Sequence, residues 1–548
     1  MTEHEELLVL RALAEKQQQE LARKDQTIEA QKAQIEKQRI QIENMIQALL
    51  HARKKLFGRS TEVSKDVDGQ LSLFHTAQKL AEELSNEQKK ITVPEHTRKA
   101  RQPGVRAEML SGLGQEIEEY IIPETDTCSQ CGSKLIIVGK RIVRTEVEFV
   151  PAKLKVKQIV QQVAKCTRCG TDESENDSCH FQKASVPAPP LAHSISTPSL
   201  IAQVMYQKFV MGMPFARQEK DWYRLGLWLS RADMANWSIR CCEEWLLPIY
   251  KRIHEQLLEC QVLHMDETRI QCNKETGKKA SSESFMWVMR SAECEEITAA
   301  YFYYSRSRSG EVARQLLSGF DGYLITDAYS GYGTVEDITS VLCWAHCRRY
   351  YIESIPLDNN GKELPGSKGA EGREYINCLF KVEEQIKDLP YEERKQKRQE
   401  ASRPILDAFW TWVTETSALK TTNEKLTEAL TYSTNQRRGL ETFLEDGRLP
   451  LSNNLCEANI KPYATARRAW LFADTPRGAR ANAILYTLSE SARANKLDVY
   501  EYLKYLLTEM PNNGHLEHPE VIDQYLPWSK ELPEECRLEH KHKKCLKK

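Results

Sequence analysis

The chain has 548 residues, 41% of them hydrophobic, with ten tryptophans, which allows several domains and a sizeable core. Its net charge of −1 neither implies nor excludes a polyanionic partner, so only the distribution of charge informs. No apolar run reaches ~18 residues, no signal peptide is evident, and sixteen cysteines in so long a chain make no compact disulfide framework, so nothing argues for a membrane or secreted protein, and a cytoplasmic location with reduced or metal-bound thiols is the expectation.

Residues 3 to about 56 lack Gly and Pro and are rich in Glu, Lys, Gln, Ala and Leu, which predicts one long helix over 1–57. One apolar position recurs every seven residues: Leu7, Ala14, Leu21, Ile28, Ile35, Ile42 and Leu49. The second seam position is mostly polar (Gln17, Lys24, Gln31, Gln38), whereas a strong coiled coil wants both apolar. The expectation is a thin-seamed, conditional oligomerisation helix, with a solitary charged helix as the alternative. Residues 58–115 read as a polar linker, broken by Pro94, Pro103 and Gly104 and carrying Arg98, Lys99, Arg101 and Arg106, a possible DNA-touching arm.

A small module follows at 116–185. It carries "CSQCG" at Cys128 and Cys131 and "CTRCG" at Cys166 and Cys169. Four thiolates on two knuckles suit tetrahedral Zn²⁺ in a closed structural site, a zinc-ribbon-like β module. Between the knuckles "RIVRTEVEFV" and "KLKVKQIVQQV" alternate as strands do. Residues 134–169 hold nine Lys/Arg against two Glu, and Lys153, Lys155 and Lys157 alternate onto one face. They are candidate DNA contacts, and they also offset the −2 charge of a Zn²⁺ with four thiolates. A helical DNA-binding or linking region is expected at 190–258, after the Pro-rich "SVPAPPLAH".

From 259 to 354 short strands alternate with helices. "QVLHMDETRIQ", "SFMWVMRSA" and "ITAAYFYYS" read as three strands, "SGEVARQLLSGF" as a helix capped by Ser309, "GYLITDAYSGYG" as a fourth strand ending at Asp327, and "ITSVLCWAHC" as a fifth strand. That order is the order of a ribonuclease H-like α/β sheet. Asp266 lies within the first strand and Asp327 at the end of the fourth, where two carboxylates can share divalent metal for phosphoryl transfer. Mg²⁺, or Mn²⁺, suits the task because it takes oxygen ligands and leaves room for water and phosphate. A third carboxylate must come from a helix packed on the sheet. Residues 355–435 read as a helical insertion, 436–510 as the last part of the core, and 511–548 as a tail with the basic "HKHKKCLKK".

"LPLSNNLCEANIKPYATARRAWLF" supplies that acid in Glu457. Ser452 can cap a helix there and Pro462 limits it. Asn453 and Asn454 precede Glu457 by four and three residues and Lys461 follows by four, so all four share one helix face. Seven Lys/Arg against three acids in 451–497, including Arg467 and Arg468, mark DNA contacts. Solvated surface remains the plain alternative for any single acid or basic patch.

These strings, together with "KLFGRSTE", "MPFARQE", "CWAHCRR" and "LEDGRLPLSNN", resemble the insertion sequence 66 transposases of the TnpC type, over nearly the whole chain. The resemblance implies a multidomain α+β protein whose catalytic set is Asp266, Asp327 and Glu457, the DDE triad. It implies divalent-metal-dependent hydrolysis and transfer of DNA strands at the terminal repeats of an insertion sequence. The partners it implies are element and target DNA, a second copy of the chain, and small accessory proteins of the same element. Sixty-one residues separate Asp266 from Asp327 and 130 separate Asp327 from Glu457, a long gap that the family fills with the helical insertion. Cys343 and His346 match the Cys-x-x-His pair that follows the second Asp; they either lock the strand end or help handle DNA, with Arg348 and Arg349 placed to reach phosphate. Where many relatives carry Arg after the third acid this chain has Ala458. The alternatives are a non-catalytic DNA-binding protein derived from a transposase, or a related nuclease or resolvase.

Overall fold

The computed structural model describes residues 3–57, 142, 153–165, 181–514, 516 and 518–538. In chain order the elements are α1 (Glu3–Phe57), β1 (Val163–Lys165), β2 (Phe181–Lys183), α2 (Pro198–Phe209), α3 (Phe215–Arg224), α4 (Arg231–Cys241), α5 (Leu247–Leu258), β3 (Val262–Cys272), β4 (Glu283–Ser291) and β5 (Ala300–Ser305). Then come α6 (Gly310–Leu316), β6 (Tyr323–Thr326), β7 (Thr339–Leu342), α7 (Trp344–Ser354), α8 (Lys368–Ile386), α9 (Tyr391–Lys397), α10 (Arg403–Ala418) and α11 (Glu424–Glu441). The chain continues through α12 (Asn454–Trp470), β8 (Phe472–Ala473), α13 (Pro476–Ala494), α14 (Val499–Glu509) and α15 (Pro519–Asp523). These elements fall into two units. A helical unit takes residues 1–98, 323–329 and 339–454; a sheet unit takes 99–322, 330–338 and 455–548.

In the helical unit, β6 and β7 pair in parallel from Tyr323↔Thr339 to Thr326↔Leu342. The helices of the insertion enclose an aromatic core in which Phe409 packs on Trp410 at 4.8 Å and on Trp344 at 5.7 Å between centroids. Aromatic pairs at such distances contribute beyond their buried area. Arg398 is fully buried between α9 and α10 and donates five hydrogen bonds. Nε and Nη2 grip the Glu383 carboxylate, Nη1 reaches the carbonyls of Phe443 and Asp446, and Nη2 reaches that of Leu449. All five donors of the guanidinium are thus used, and the segment leading to α12 is held by its backbone. Gly447 sits in that segment, where a Cβ would lie 1.8 Å from the Tyr391 carbonyl oxygen, so only glycine fits.

The last turns of α1 lie on the same unit. Asn44 donates to Thr422 O (3.0 Å), Gln47 exchanges two bonds with the Leu357 backbone, His51 bonds Ile355 O (2.8 Å), and Lys54 pairs with Glu363 (3.2 Å). The heptad residues Leu21, Ile28, Ile35, Ile42 and Leu49 are exposed. The long helix is therefore present, and its seam faces away from the chain's own described residues.

In the sheet unit, β5, β4 and β3 run antiparallel in that order, and β8 joins the end of β3 in parallel at Gln271↔Phe472. The edge strand β5 is covered by α13. Ser491 Oγ accepts from Ala300 N–H and donates to Ala300 O, while Thr487 Oγ1 accepts from Phe302 N–H. Two hydroxyls thus replace the missing strand partner in a site shielded from water.

Several sequence expectations change. Residues 153–162 carry no regular structure and are exposed, and only Val163–Lys165 pairs, with Phe181–Lys183. Alternation makes a strand only where a ladder partner is available, and among the described residues the one backbone bond given for those ten is that of Gln162 O with Ala184 N–H, at the start of the β1–β2 pair. Cys128, Cys131, Cys166 and Cys169, the linker at 58–115 and the basic tail lie outside the described residues. Pro462 does not limit its helix, because α12 runs through it to Trp470. Cys456 on one side and Tyr463 and Ala466 on the other are buried, and this packing offsets the lost backbone bond. The fourth strand ends at Thr326, one residue before Asp327, and Ser309 stands at the start of α6 with no side-chain cap bond. No helix among the described residues is long and apolar enough to cross a membrane, and the ten described cysteines outside the module are free thiols.

Candidate active site

Asp266 lies midway along β3, paired with Val288 of β4. It is half-buried, and its Oδ1 accepts from the Glu267 N–H at 2.7 Å, which fixes the carboxylate beside its own backbone. Successive strand residues point to opposite faces, so Glu267 turns the other way. Its carboxylate, 2% exposed, pairs with Arg308 and accepts from the Tyr332 hydroxyl at 2.6 Å. Glu267 thereby pins the strand at the residue next to Asp266.

Glu457 occupies the first turn of α12. Its neighbour Cys456 is fully buried and donates its thiol to Val288 O at 3.5 Å, the strand residue paired with Asp266. This contact seats the first turn of α12 over the β3–β4 pair. Burial pushes the Cys456 thiol well above its ordinary pKa, and the negative charges of Asp266, Glu457 and Glu267 add to that shift while Arg290 opposes it. Asp266 and Glu457 are thus gathered around one buried thiol. Behind the helix, Asn459 reaches Glu490 at 3.5 Å and Arg493 pairs with it at 2.9 Å. Burial raises the Glu490 pKa against the pull of Arg493, Asn459 and Arg290.

Asp327 belongs to the helical unit. It follows β6, and its Oδ1 accepts from Tyr329 N–H at 3.0 Å, a tight turn in which Ala328 takes a positive φ of 72°. The Tyr350 and Tyr432 rings stack at 4.5 Å beside a groove of about 410 Å³, and the Asp327 charge helps raise both hydroxyl pKa values after burial, the larger cause.

The remaining sequence candidates divide by exposure. Asn454, Lys461 and Arg468 are exposed on α12, and Arg467 is half-buried. Asn453 precedes the helix and is fully buried, with its N–H directed to the Cys343 Sγ at 3.1 Å, so it shares no solvent face with Lys461. Cys343 is buried too, and its N–H donates to Thr326 O. These two bonds join the end of β6 to the approach of α12. His346 lies in the first turn of α7, and Arg348 donates to Asn377 of α8 at 2.7 Å. Arg349 is half-buried, and Lys153, Lys155 and Lys157 are exposed.

Sequence reasoning missed Glu267, Arg308, Tyr332, Arg290 and Glu490. The alternation of β3 was the available signal for Glu267, since it sets Glu267 opposite Asp266; the others come from distant segments with no local pattern. Oxygen donors such as the carboxylates of Asp266 and Glu457 suit a hard divalent cation. Among the described residues no group of three or more His, Cys, Asp or Glu is arranged to hold a metal ion.

The comparisons with known proteins cover much of the chain. The family model described as Transposase IS66 family matches residues 193–481. The zinc-finger binding domain of transposase IS66 matches 125–170, a span that contains all four knuckle cysteines. The IS66 C-terminal element matches 487–528, and a model described as Transposase C of IS166 homeodomain matches 46–117. Three uncharacterized proteins of Sinorhizobium fredii strain NGR234 are similar. The protein y4hP is 28% identical over 435 residues, covering 75% of each chain. The protein y4jD is 25% identical, covering 75% of this chain and 79% of its own, and y4qI is 27% identical, covering 76% of each. With more than half of its length matched by one family model and DNA-binding elements matched beside it, this chain belongs to the IS66 family of transposases.

Proposed function

We propose that the chain cuts and joins DNA strands at the terminal repeats of its own insertion sequence, with Asp266, Asp327 and Glu457 as the catalytic acids of a ribonuclease H-like core. The observation that carries this reading is the seating of α12 by Cys456 on Val288, which brings Glu457 to the strand pair that bears Asp266. The three carboxylates would hold Mg²⁺ or Mn²⁺, which would stabilise negative charge on phosphodiester oxygens.

The chain's own groups do the positioning. The Glu267 N–H holds Asp266 in one rotamer, and the bonds of Glu267 to Arg308 and Tyr332 keep β3 from shifting. Arg398, Cys343 and Gly447 fix the approach to α12. Lys461 and Arg468 lie seven residues apart on the exposed side of α12, and Lys153, Lys155 and Lys157 are free to face solvent, so both sets suit phosphate contacts. Such contacts make binding fall steeply with salt. Cys128, Cys131, Cys166 and Cys169 hold a structural Zn²⁺ in the module that grips the repeats. Two ends must be cut together, which calls for a second copy of the chain, and α1 with its exposed heptad residues is the element to join them; small accessory proteins complete the assembly in the cytoplasm on the nucleoid.

The test is a labelled terminal-repeat duplex with Mg²⁺. Wild type nicks or joins it, while Asp266→Asn, Asp327→Asn and Glu457→Gln bind with wild-type affinity and leave it intact. Cleavage by any of these variants at the wild-type rate removes that residue from the site. Binding without cleavage by the wild type, with accessory proteins present, removes the enzyme reading.

A further inference from the structure

Trp228 is 83% exposed, and it is the one exposed tryptophan of the ten, all of which lie among the described residues. Tyr223, 70% exposed, meets it edge to face at 6.2 Å and 84°. The two rings stand over a shallow groove of about 380 Å³ that Glu219, Lys220 and Leu229 also line. Large aromatic surface facing water is unfavourable unless something covers it, and none of the described interactions of the sheet unit covers these rings.

The backbone enforces this exposure. After α3 the chain turns with Leu225 N–H on Asp221 O, Gly226 N–H on Tyr223 O and Leu227 N–H on Trp222 O, and Gly226 takes a φ of 88° that a side chain disfavours. Trp222 before the turn and Leu229 after it are both buried, at 5% and 2%. Held at both ends, the turn cannot rotate Trp228 inward. The indole is thus presented on a rigid support with its face open, and a preorganised face loses little freedom on binding.

The surrounding charge selects the occupant. Residues 215–231 carry four basic side chains against two acidic ones. The two acids are engaged: Asp221 pairs with Arg224 at 2.9 Å, and Glu219 accepts the Arg231 N–H at 3.0 Å. Arg217 and Lys220 stay exposed on the same helix as Tyr223, six and three residues before it. Flat aromatic surface flanked by cations complements a nucleobase attached to its phosphate, which stacks on the ring and places its charge beside the ammonium. Bases inside a duplex are already stacked, so the surface takes an unpaired one.

We propose that Tyr223 and Trp228, with Lys220 and Arg217, form a platform on which the unpaired bases of single-stranded DNA stack. The proposal rests on the DNA-transposase reading and specifies which form of DNA this part of the chain grips.

The experiment uses the full chain and fluorescence anisotropy, with a labelled 15-nucleotide oligothymidylate and a labelled terminal-repeat duplex at equal salt. Stacking of one base is worth about 1–3 kcal/mol, or roughly 5- to 150-fold in affinity. Trp228→Ala is expected to weaken single-strand binding about tenfold, Tyr223→Ala to weaken it several-fold, and Trp228→Phe to restore most of it. Duplex binding and the thermal midpoint stay at wild-type values, because both rings are exposed. Equal single-strand affinity for wild type and Trp228→Ala overturns the platform, as does an equal loss on duplex. Unchanged single-strand binding with loss of self-association in sedimentation would assign the patch to a second copy and likewise overturn it. Wild type that binds neither DNA form defeats the transposase reading itself, an outcome distinct from the others.

Discussion

Replacing Arg398 by Met tests whether the helical unit positions the approach to α12 through one buried guanidinium. The substitution keeps volume and removes five donors. It leaves the Glu383 carboxylate, 17% exposed, and the carbonyls of Phe443, Asp446 and Leu449 without those partners. Each buried acceptor left unmatched costs about 1–3 kcal/mol, and stripping one member from a buried ion pair costs about 3–5 kcal/mol. Relaxation and water entry keep the total below a simple sum, so a loss of about 4 kcal/mol is expected. Arg398→Lys retains the charge but has three donors and no planar fork, so it should lose about half as much. Arg398→Met with Glu383→Met should recover part of the loss, because no carboxylate is then stranded. Amide hydrogen exchange across residues 440–450, read beside urea melts, separates local from global opening. The reasoning fails if Arg398→Met melts within about 1 kcal/mol of wild type with unchanged exchange in that segment, a difference too small for a buried pair.

Further outcomes follow from other contacts. Gly447→Ala should lower stability by about 2–4 kcal/mol, since its methyl meets the Tyr391 backbone and not a movable side chain; thermal unfolding measures it, and a midpoint equal to wild type would contradict the close approach. Thr487→Val should strip the Phe302 N–H of its acceptor and cost about 1–3 kcal/mol, visible as faster exchange of that amide. Cys456, buried and with its thiol pKa pushed well up, should resist iodoacetamide at pH 8 in the native chain while the partly exposed Cys294 reacts, a contrast read by mass spectrometry. Lys208 lies over the Phe215 ring at 4.0 Å, and burial pushes its pKa down to about 8. The unfolded chain therefore binds more protons between about 8 and the ordinary lysine value of ~10.4, and stability gains from this group as pH rises through that window. Lys208→Met should be the more stable protein at pH 7, with a gap that narrows above pH 8; a gap constant with pH would show that Lys208 is not desolvated.

The sequence announced the elements better than their joints. Strands β3, β4 and β5 were legible because each is an apolar run closed by polar turns, and α1 because nothing in 3–56 interrupts a helix. Asp266, Asp327 and Glu457 were nominated by their places on predicted strands and a helix, and then by the family strings. Tertiary packing decided the rest. Pro462 reads as a stop only until Tyr463 and Cys456 are seen buried on either side of it. Asn453 reads as a helix-face amide, yet it lies before the helix, buried against Cys343. Glu267 and Asp266 are adjacent letters, and only the pleat turns Glu267 to a clamp with Arg308 and Tyr332 while Asp266 faces the other way. Arg398 stands in a charged stretch, "YEERKQKRQEAS", that reads as solvated helix throughout, and nothing local distinguishes it from its exposed neighbours.

The attachment of α1 has a mechanical consequence. Among the described residues its bonds to the helical unit fall between Asn44 and Lys54, whereas residues 17–39 are exposed on every side. At ~1.5 Å per residue that stretch projects ~35 Å from its footing. A tilt of ~5° at the footing would sweep its far end by ~3 Å, about the rise of one base pair. The footing is made of a few polar bonds and one ion pair, which rearrange at lower cost than a packed apolar seam. A beam hinged in this way converts small repacking of Ile355, Leu357 and Glu363 into a large displacement at its tip.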